Sequence, residues 1–207
     1  MRRVILSACL TLAAFGAALA QTPPAGAPPA GAAPGRGAPP GNRPPPLTLS
    51  SSAMQDGGLV PDKYTAASQA PMVPPLSWTN TPAGTQSFVL IVHDIDVVFG
   101  RGLGDNPHWI VFNIPATATS IGESPANTPA LPEGSVQMGR PGRGGAPAST
   151  GYFPPAPPPG FPHHYDFDLY ALDTKLPLDT TAVRADIEKA MEGHVIGKSV
   201  LQMRFKR

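Results

Sequence analysis

Cysteine is almost absent from this chain of 207 residues. Its single cysteine, Cys9, lies in an apolar run from Val4 to Leu19 that follows Met1-Arg2-Arg3 and is followed by Ala20. A basic start, an apolar stretch and a small-x-small site are typical of a signal peptide, so we expect residues 1–20 to be cleaved after Ala20. The mature chain then has no cysteine, which excludes disulfides and thiol catalysis and suits the oxidising periplasm or an extracellular site.

Two other interpretations of the N-terminus were weighed. The apolar run is shorter than the roughly twenty residues of a membrane-spanning helix, which disfavours an anchor. The stretch Leu6-Ser7-Ala8-Cys9 resembles a lipoprotein processing box, but it comes too early in the apolar run. We therefore expect a periplasmic or secreted protein, and no later run is long enough to span a membrane.

Charge of either sign is also sparse. Cleavage removes two of the 15 basic residues, which leaves 13 against 14 acidic ones. Binding to a phosphate backbone requires a basic surface, and a near-neutral balance lacks one. The composition therefore predicts no nucleic-acid partner.

Proline and glycine, in contrast, are abundant. Residues 21–46 contain 21 Pro, Ala or Gly residues among 26 and have no large apolar side chain. Such a stretch cannot offset its own ordering entropy, so we expect a disordered linker, with a proline-rich ligand for another module as the alternative. Residues 47–207 have the length of one domain.

Short apolar runs bounded by Pro, Gly or Asn predict a mainly β domain. The predicted strands are residues 47–49, 87–92, 109–112 and 165–170. In the last of them aromatic residues alternate with Asp166 and Asp168, which predicts one buried face and one wet face. The Gly/Pro-rich residues 115–148 predict a long loop.

One helix is predicted near the C-terminus. Its apolar face comprises Val183, Ile187, Ala190 and Met191, with residues 179–181 as capping candidates and Gly193 as its end. The alternation of Leu201, Met203 and Phe205 with polar residues predicts a following strand. Residues 193–199 predict a turn between helix and strand, because their glycine spacing and position do not suit a phosphate loop.

Ionisable residues recur at the ends of three predicted strands. Asp94 and Asp96 follow the strand that ends at His93, His108 precedes the next strand, and residues 163–165 read His-His-Tyr. Antiparallel neighbours bring such ends together, so one pocket of carboxylates and imidazoles is a hypothesis. The alternative is that each histidine is a hydrogen-bonded structural residue.

Several motifs resemble those of a known family. In chain order they are Pro75-Leu76-Ser77-Trp78, residues 82–88, Asp94-Ile95-Asp96, residues 108–113, Gly151-Tyr152, Pro155, residues 157–158, Gly160, residues 162–165 and residues 193–196. Their order and spacing are similar to those of the phosphatidylethanolamine-binding protein family, in its bacterial Raf-kinase-inhibitor-like branch, across residues 47–207. The resemblance implies two antiparallel sheets with a C-terminal helix, no cofactor, and a shallow pocket for phosphate-like anions or phospholipid head groups.

The resemblance also assigns residues to the pocket. It implies a ligand-binding set of Asp94, Asp96, His108, Pro155, His163 and Tyr165. Imidazoles can donate hydrogen bonds to anionic oxygens, and a carboxylate can orient an imidazole or pair with a cationic head group. Trp78 and Tyr165 are each either an apolar wall of the pocket or a core residue.

Three departures from the family pattern bear on the ligand. Ile95 and Val98 replace two prolines, and Pro154 replaces a glycine whose backbone N–H could hold an anion. His164 replaces an arginine, exchanging a permanent charge for one that titrates near neutral pH. The last change predicts that anion binding strengthens on mild acidification.

Other functions were weighed against ligand binding. A hydrolase would use His163 or His108 as base with Asp94 as its partner, but the sequence contains no Gly-x-Ser-x-Gly motif. A metal site would combine Asp94, Asp96, His108 and His163. A regulatory module would contact a protein partner through residues 139–147, and a homodimer is a further option.

Overall fold

A computed structural model describes residues 44–98, 104–139 and 150–207. The predicted signal peptide, almost all of the predicted linker and most of the 139–147 loop lie outside these residues. Their assignments, and the domain boundary at residue 47, stay predictions. Among the described residues, no helix has the length and apolar character needed to cross a membrane.

The described residues form short and long strands with one α-helix. The strands are β1 (Thr48–Ser50), β2 (Gly58–Leu59), β3 (Met72–Val73), β4 (Leu76–Thr79), β5 (Ser87–Val98), β6 (Asp105–Pro115), β7 (Ser120–Ile121), β8 (Ser124–Pro125), β9 (Val136–Gln137), β10 (His163–Leu172) and β11 (Val195–Phe205). The helix α1 spans Arg184–Met191, and a short 3-10 helix spans Asp62–Tyr64.

One six-stranded sheet dominates the fold, in the order β2-β11-β10-β5-β6-β9. All its pairs are antiparallel except β2 with β11. A three-stranded sheet, β1-β4-β7, and a two-stranded sheet, β3-β8, complete the architecture. The prediction of a mainly β fold with antiparallel sheets and one helix is confirmed, although the smaller sheets are two rather than one.

Successive side chains of a strand point to opposite faces of the sheet. In the central strands both faces are buried. Phe88, Leu90 and Val92 of β5 belong to the larger core. We call the side of the six-stranded sheet that faces this core the inner face. Val89 and Ile91 pack with Ile187 and Met191 of α1 on the opposite, helix-covered face. Trp78 is a core residue, 2% exposed, with its ring edge-on to Phe88 at 5.4 Å between centroids.

The helix begins later than predicted. Val183 occupies its N-cap position, where the Asp186 carboxylate accepts a hydrogen bond from the Val183 N–H at 3.1 Å. Asp179 instead accepts hydrogen bonds from Thr181, one turn upstream, so the predicted cap was wrong. Val183, predicted on the apolar face, is 54% exposed. Gly193 ends the helix as predicted, with a φ of 81° that glycine adopts without strain.

Three loop predictions were wrong because tertiary pairing extends the strands. β5 continues to Val98, so Asp94 and Asp96 lie within a strand rather than beyond its end. β11 begins at Val195, which confines the predicted 193–199 turn to its first residues. Strands β7, β8 and β9 lie within the predicted 115–148 loop. Polar segments of this kind form strands when a neighbouring strand supplies their hydrogen bonds.

Candidate functional site

Two irregularities in the pairing of β5 with β6 shape one end of the inner face. Val92 pairs with Trp109, but the next pair is His93 with Pro107, so His108 is an extra residue on β6. Such a bulge turns a side chain away from regular alternation. The His108 ring packs edge-on against Tyr165, with 5.1 Å between ring centroids.

The second irregularity lies between Asp94 and Val98. Asp94 pairs with Asn106 and Val98 pairs with Asp105, so residues 95–97 of β5 have no pairing residue of their own on β6. This bulge occupies the segment where the family motif has its two prolines. It leaves Asp94 on the inner face and places Val97 at the edge of the cavity described next.

A cavity of about 350 Å³ opens at this end of the inner face. It is lined by Asp94, Val97, Asn106, His108, Phe153, Pro154, Ala156, Pro157, Pro158, His163 and Tyr165. Four of the six predicted ligand-binding residues, Asp94, His108, His163 and Tyr165, therefore surround one space. None of these lining residues is a lysine or an arginine.

Asp94 orients His163. The Asp94 side chain is almost completely buried, and its Oδ2 lies 2.8 Å from Nδ1 of His163. Its other oxygen accepts a hydrogen bond from the Asp96 N–H at 3.0 Å. A carboxylate beside Nδ1 favours a proton on that nitrogen, which leaves Nε2 of His163 as the atom able to meet a ligand.

His108 has a different role from the one expected. Its Nδ1 lies 2.7 Å from the Phe153 carbonyl oxygen, which can only accept, so Nδ1 carries the proton. Its Nε2 lies 3.0 Å from the Asn106 amide nitrogen. Because both ring nitrogens have protein partners, we interpret His108 as a residue that positions Asn106 and Phe153 rather than as a direct anion donor.

The Tyr165 hydroxyl is the unpaired polar group of this site. It is buried and makes no hydrogen bond of normal length and angle with a described residue, whereas the Asp94 carboxylate and the Ala156 backbone interact with it at longer range. Burial, reinforced by the Asp94 charge, raises the pKa of Tyr165 far above its usual range. The hydroxyl thus keeps its proton, and a ligand oxygen would satisfy it.

The two other predicted residues do not line the cavity. Asp96 is exposed, and its Oδ2 accepts hydrogen bonds from the backbone N–H and Nδ1 of His164 at 2.6 and 2.9 Å. Burial acts to raise the pKa of Asp96, but these contacts outweigh it and lower the pKa. Pro155 is buried and its carbonyl accepts a hydrogen bond from Ala66 at 3.0 Å. His164 faces Asp96 and also lies outside the lining. Contrary to expectation, it does not contact the cavity.

Sequence analysis missed Asn106 and Phe153. Asn106 lies two residues before His108, and this position alone is a weak indication that it belongs to the site. The two side chains meet next to the bulge at His108, which the sequence does not reveal. Phe153 is held by His108, whose carbonyl accepts a hydrogen bond from the Phe153 N–H at 3.0 Å. Two residues earlier, Gly151 has a φ of 115°, and a Cβ there would lie 2.7 Å from the Ala126 carbonyl oxygen. Only glycine allows this approach, so the glycine of the Gly151-Tyr152 motif is explained by packing.

The metal set considered from the sequence is not assembled. Asp96 and His108 face other partners, as described above. Among the described residues, three imidazole and carboxylate groups do lie close together elsewhere, on the helix-covered face: His93, Asp166 and Asp168.

The family model of the phosphatidylethanolamine-binding proteins matches residues 50–206. This match spans most of the chain and includes every residue that lines the cavity. The chain therefore belongs to the phosphatidylethanolamine-binding protein family.

Similar proteins are known from archaea and bacteria. A UPF0098 protein of Methanothermobacter thermautotrophicus is 38% identical over 161 residues, covering 78% of this chain and 99% of that protein. The UPF0098 protein YbhB of Escherichia coli is 31% identical over 159 residues, covering 74% of this chain and 90% of its own. These are family names and not enzyme names.

Solved structures agree with the fold. The crystal structure of the phosphatidylethanolamine-binding protein homologue CT736 from Chlamydia trachomatis has a TM-score of 0.66 and 31% identity, covering 78% of this chain and 98% of its own. The structure of Escherichia coli YbcL, described as a member of the mammalian family, has a TM-score of 0.64 and 26% identity over the same shares.

Proposed function

We propose that this protein is exported and binds a small ligand with anionic oxygens, phosphate-like or a phospholipid head group, in the Asp94–His163 cavity, and that it is not an enzyme. The observation that carries this proposal is the buried, unpaired Tyr165 hydroxyl in the wall of a cavity that His163 also lines. Family membership supports a ligand-binding or regulatory role. Export is supported by the N-terminal pattern and by a relative from Mycobacterium tuberculosis, 32% identical over 164 residues, named as a candidate lipoprotein, LppC.

The polar groups of the cavity define the ligand chemistry. The Tyr165 hydroxyl donates, and Nε2 of His163 donates once the ring is protonated. The Asp94 carboxylate opposes a multiply charged anion, since no lysine or arginine among the described residues lines the cavity to offset it. A singly charged anion, or a head group with its own cationic amine, therefore suits the site best.

His164, from which the sequence predicts stronger anion binding on mild acidification, faces Asp96 and does not line the cavity. His164→Arg therefore adds charge only beside Asp96, and this variant should bind phosphate as the natural protein does.

Titration calorimetry with inorganic phosphate and with phosphoethanolamine tests the proposal. We expect His163→Ala and Tyr165→Phe to weaken binding about tenfold or more, as for a lost hydrogen bond to a charged group. His194→Ala is the matched control, because His194 also pairs with an aspartate, Asp173, at 2.8 Å, but on the exposed surface. Equal affinity in all four proteins would contradict the proposal.

Hydrolysis is the second candidate, because the Asp94–His163 pair has the arrangement of a base with its orienting carboxylate. It lacks an identified nucleophile among the lining residues. Incubation with generic ester and phosphoester substrates distinguishes the two functions: turnover that disappears in His163→Ala would replace binding by catalysis.

A further inference from the structure

A second cluster of imidazole and carboxylate groups lies on the helix-covered face. His93 of β5 pairs directly with Asp166 of β10, and Asp168 lies two residues further along β10 on the same face. One possible ligand atom from each of the three lies within 4.8 Å of the others. The antiparallel register alone is enough to bring them together.

His93 directs a buried ring nitrogen into the cluster. It is 8% exposed, and its Nδ1 lies 2.6 Å from Oδ2 of Asp105. Its Nε2 is buried without a hydrogen bond, since the nearest carboxylate oxygen, Oδ2 of Asp168, is 3.7 Å away and beyond hydrogen-bond range. A histidine that gives one N–H to a carboxylate and directs the other nitrogen inward is the usual arrangement of a metal ligand.

We propose that Nε2 of His93 and the carboxylates of Asp166 and Asp168 bind a divalent transition-metal ion of the Zn²⁺ type. Zinc bonds to nitrogen and oxygen of about 2.0–2.2 Å place two ligand atoms at most about 4.4 Å apart. The 3.7 Å separation of His93 and Asp168 is too long for a hydrogen bond but fits two ligands of one ion. Imidazole with carboxylate suits several first-row ions, and Zn²⁺ is the probe of choice because it has no redox chemistry and its d electrons impose no geometry.

A metal ion can displace Lys198, the cation that balances Asp168 in its absence. Without metal, Nζ of Lys198 lies 2.7 Å from Oδ2 of Asp168 and balances its charge. The Lys198 side chain is 43% exposed and can leave into solvent, whereas Arg184 stays with Asp105 on the far side of His93. A divalent ion would take over the role of the Lys198 ammonium beside Asp168.

Neighbouring groups define the outer surroundings of the ion. Gln202 donates to Oδ1 of Asp166 at 2.8 Å, and the Tyr170 hydroxyl donates to Oδ2 of Asp168 at 2.8 Å. A cavity of about 220 Å³ reaches Asp168 and is lined in part by Tyr170, Arg184 and Glu188.

Calorimetric titration of Zn²⁺ into the full chain, purified without a His tag and treated with chelator, tests this site. We expect one ion per chain, and binding weakened at least about tenfold in His93→Gln and in Asp168→Asn. Asp105→Asn, which leaves all three ligands in place, should weaken binding by about 10–100-fold because it removes the orienting carboxylate. His194→Ala is the control that should bind as the natural protein does.

Lys198→Met gives a test that does not depend on damaging the cluster. It removes the competing ammonium at a partly exposed position, and we expect tighter Zn²⁺ binding. Absence of saturable binding to the natural chain would overturn the proposal, and so would unchanged affinity in His93→Gln or weaker binding in Lys198→Met. Loss of binding in His163→Ala with retention in His93→Gln would also overturn it, since the ion would then lie in the inner cavity.

Discussion

His93 and Asp94 are neighbours in β5, yet they belong to two different polar clusters on opposite faces of one sheet. On the inner face, the Asp94–His163 pair lines a cavity without a lysine or arginine among its lining residues. On the helix-covered face, His93 lies between Asp105 and Asp168, which Arg184 and Lys198 balance. Among the described residues, protein cations thus balance the carboxylates on the helix-covered face, whereas no lysine or arginine lines the cavity on the inner face.

The pKa values follow this difference. Burial acts to lower the pKa of His93, but its contacts with Asp168 and Asp105 outweigh burial and raise it. Burial acts to raise the pKa of Asp168, yet contacts with His93, Lys198 and Tyr170 lower it to about 2. Charges that stabilise one another in this way stabilise the folded state. We therefore expect the cluster on the helix-covered face, His93 with Asp105, Asp166 and Asp168, to contribute more to stability than the Asp94–His163 pair on the inner face. We call these the outer and the inner cluster.

The largest expected effect is a difference in the free energy of unfolding between two Asp→Asn variants, one on each face of the sheet. Asp168→Asn leaves Lys198 and His93 without their common carboxylate and should lower the free energy of unfolding by about 3 kcal/mol. Asp94→Asn keeps an oxygen for the Asp96 N–H and should lower it by about 1 kcal/mol. Urea unfolding of both variants measures the difference. Equal losses would mean that the two clusters stabilise the fold alike.

The second prediction concerns pH and is measured in the presence of chelator. Because the folded-state pKa of His93 is raised, its contribution is complete below the ordinary histidine value of about 6.5 and is lost as pH rises through the folded value. The natural protein should lose stability there, with a slope of at most about 1.4 kcal/mol per pH unit for one proton.

His93→Gln should remove this alkaline loss, while His194→Ala should keep it. The lowered pKa of Asp168 has the opposite sign: its contribution is present above the ordinary aspartate value and is lost as pH falls towards about 2. Urea midpoints across pH reveal both limbs. An alkaline limb that persists in His93→Gln would assign the titration to another group.

The smallest expected effect is at the Tyr165 hydroxyl. Tyr165→Phe removes a buried group without a hydrogen bond and should leave stability unchanged or raise it by about 1 kcal/mol. Tyr152→Phe is the matched control, because the Tyr152 hydroxyl donates to the Tyr64 carbonyl at 3.2 Å and its removal should cost about 1 kcal/mol. A comparable loss in both variants would show that Tyr165 has a partner in solution.

Much of the fold was predictable because it depends on local patterns. The apolar run of β5, the alternation in β11 and the glycine after α1 each indicate their element without knowledge of its neighbours. The extension of β5 to Val98 was not predictable, because it depends on pairing with β10 and β6.

The candidate site was predictable only in part. The family resemblance predicted six ligand-binding residues; Asp94, His108, His163 and Tyr165 line one cavity, whereas Asp96 and Pro155 follow the same motifs and lie outside it. The outer cluster was missed because Asp168 follows an alternating pattern that predicts exposure, whereas it is 6% exposed. Alternation assigns a residue to a face of the sheet, and it does not tell whether that face is covered.

The register of β5 against β10 has a consequence for folding errors. A slip of one residue would turn Asp94 towards Asp166 and Asp168 under the helix and would turn His93 towards the inner cavity. Such a chain would bury three carboxylates together. It would also turn Phe88, Leu90 and Val92 from the inner face to the helix-covered face. Correct pairing is therefore favoured by electrostatic repulsion as well as by the apolar pattern, at the two adjacent positions where an error would be most harmful to the site.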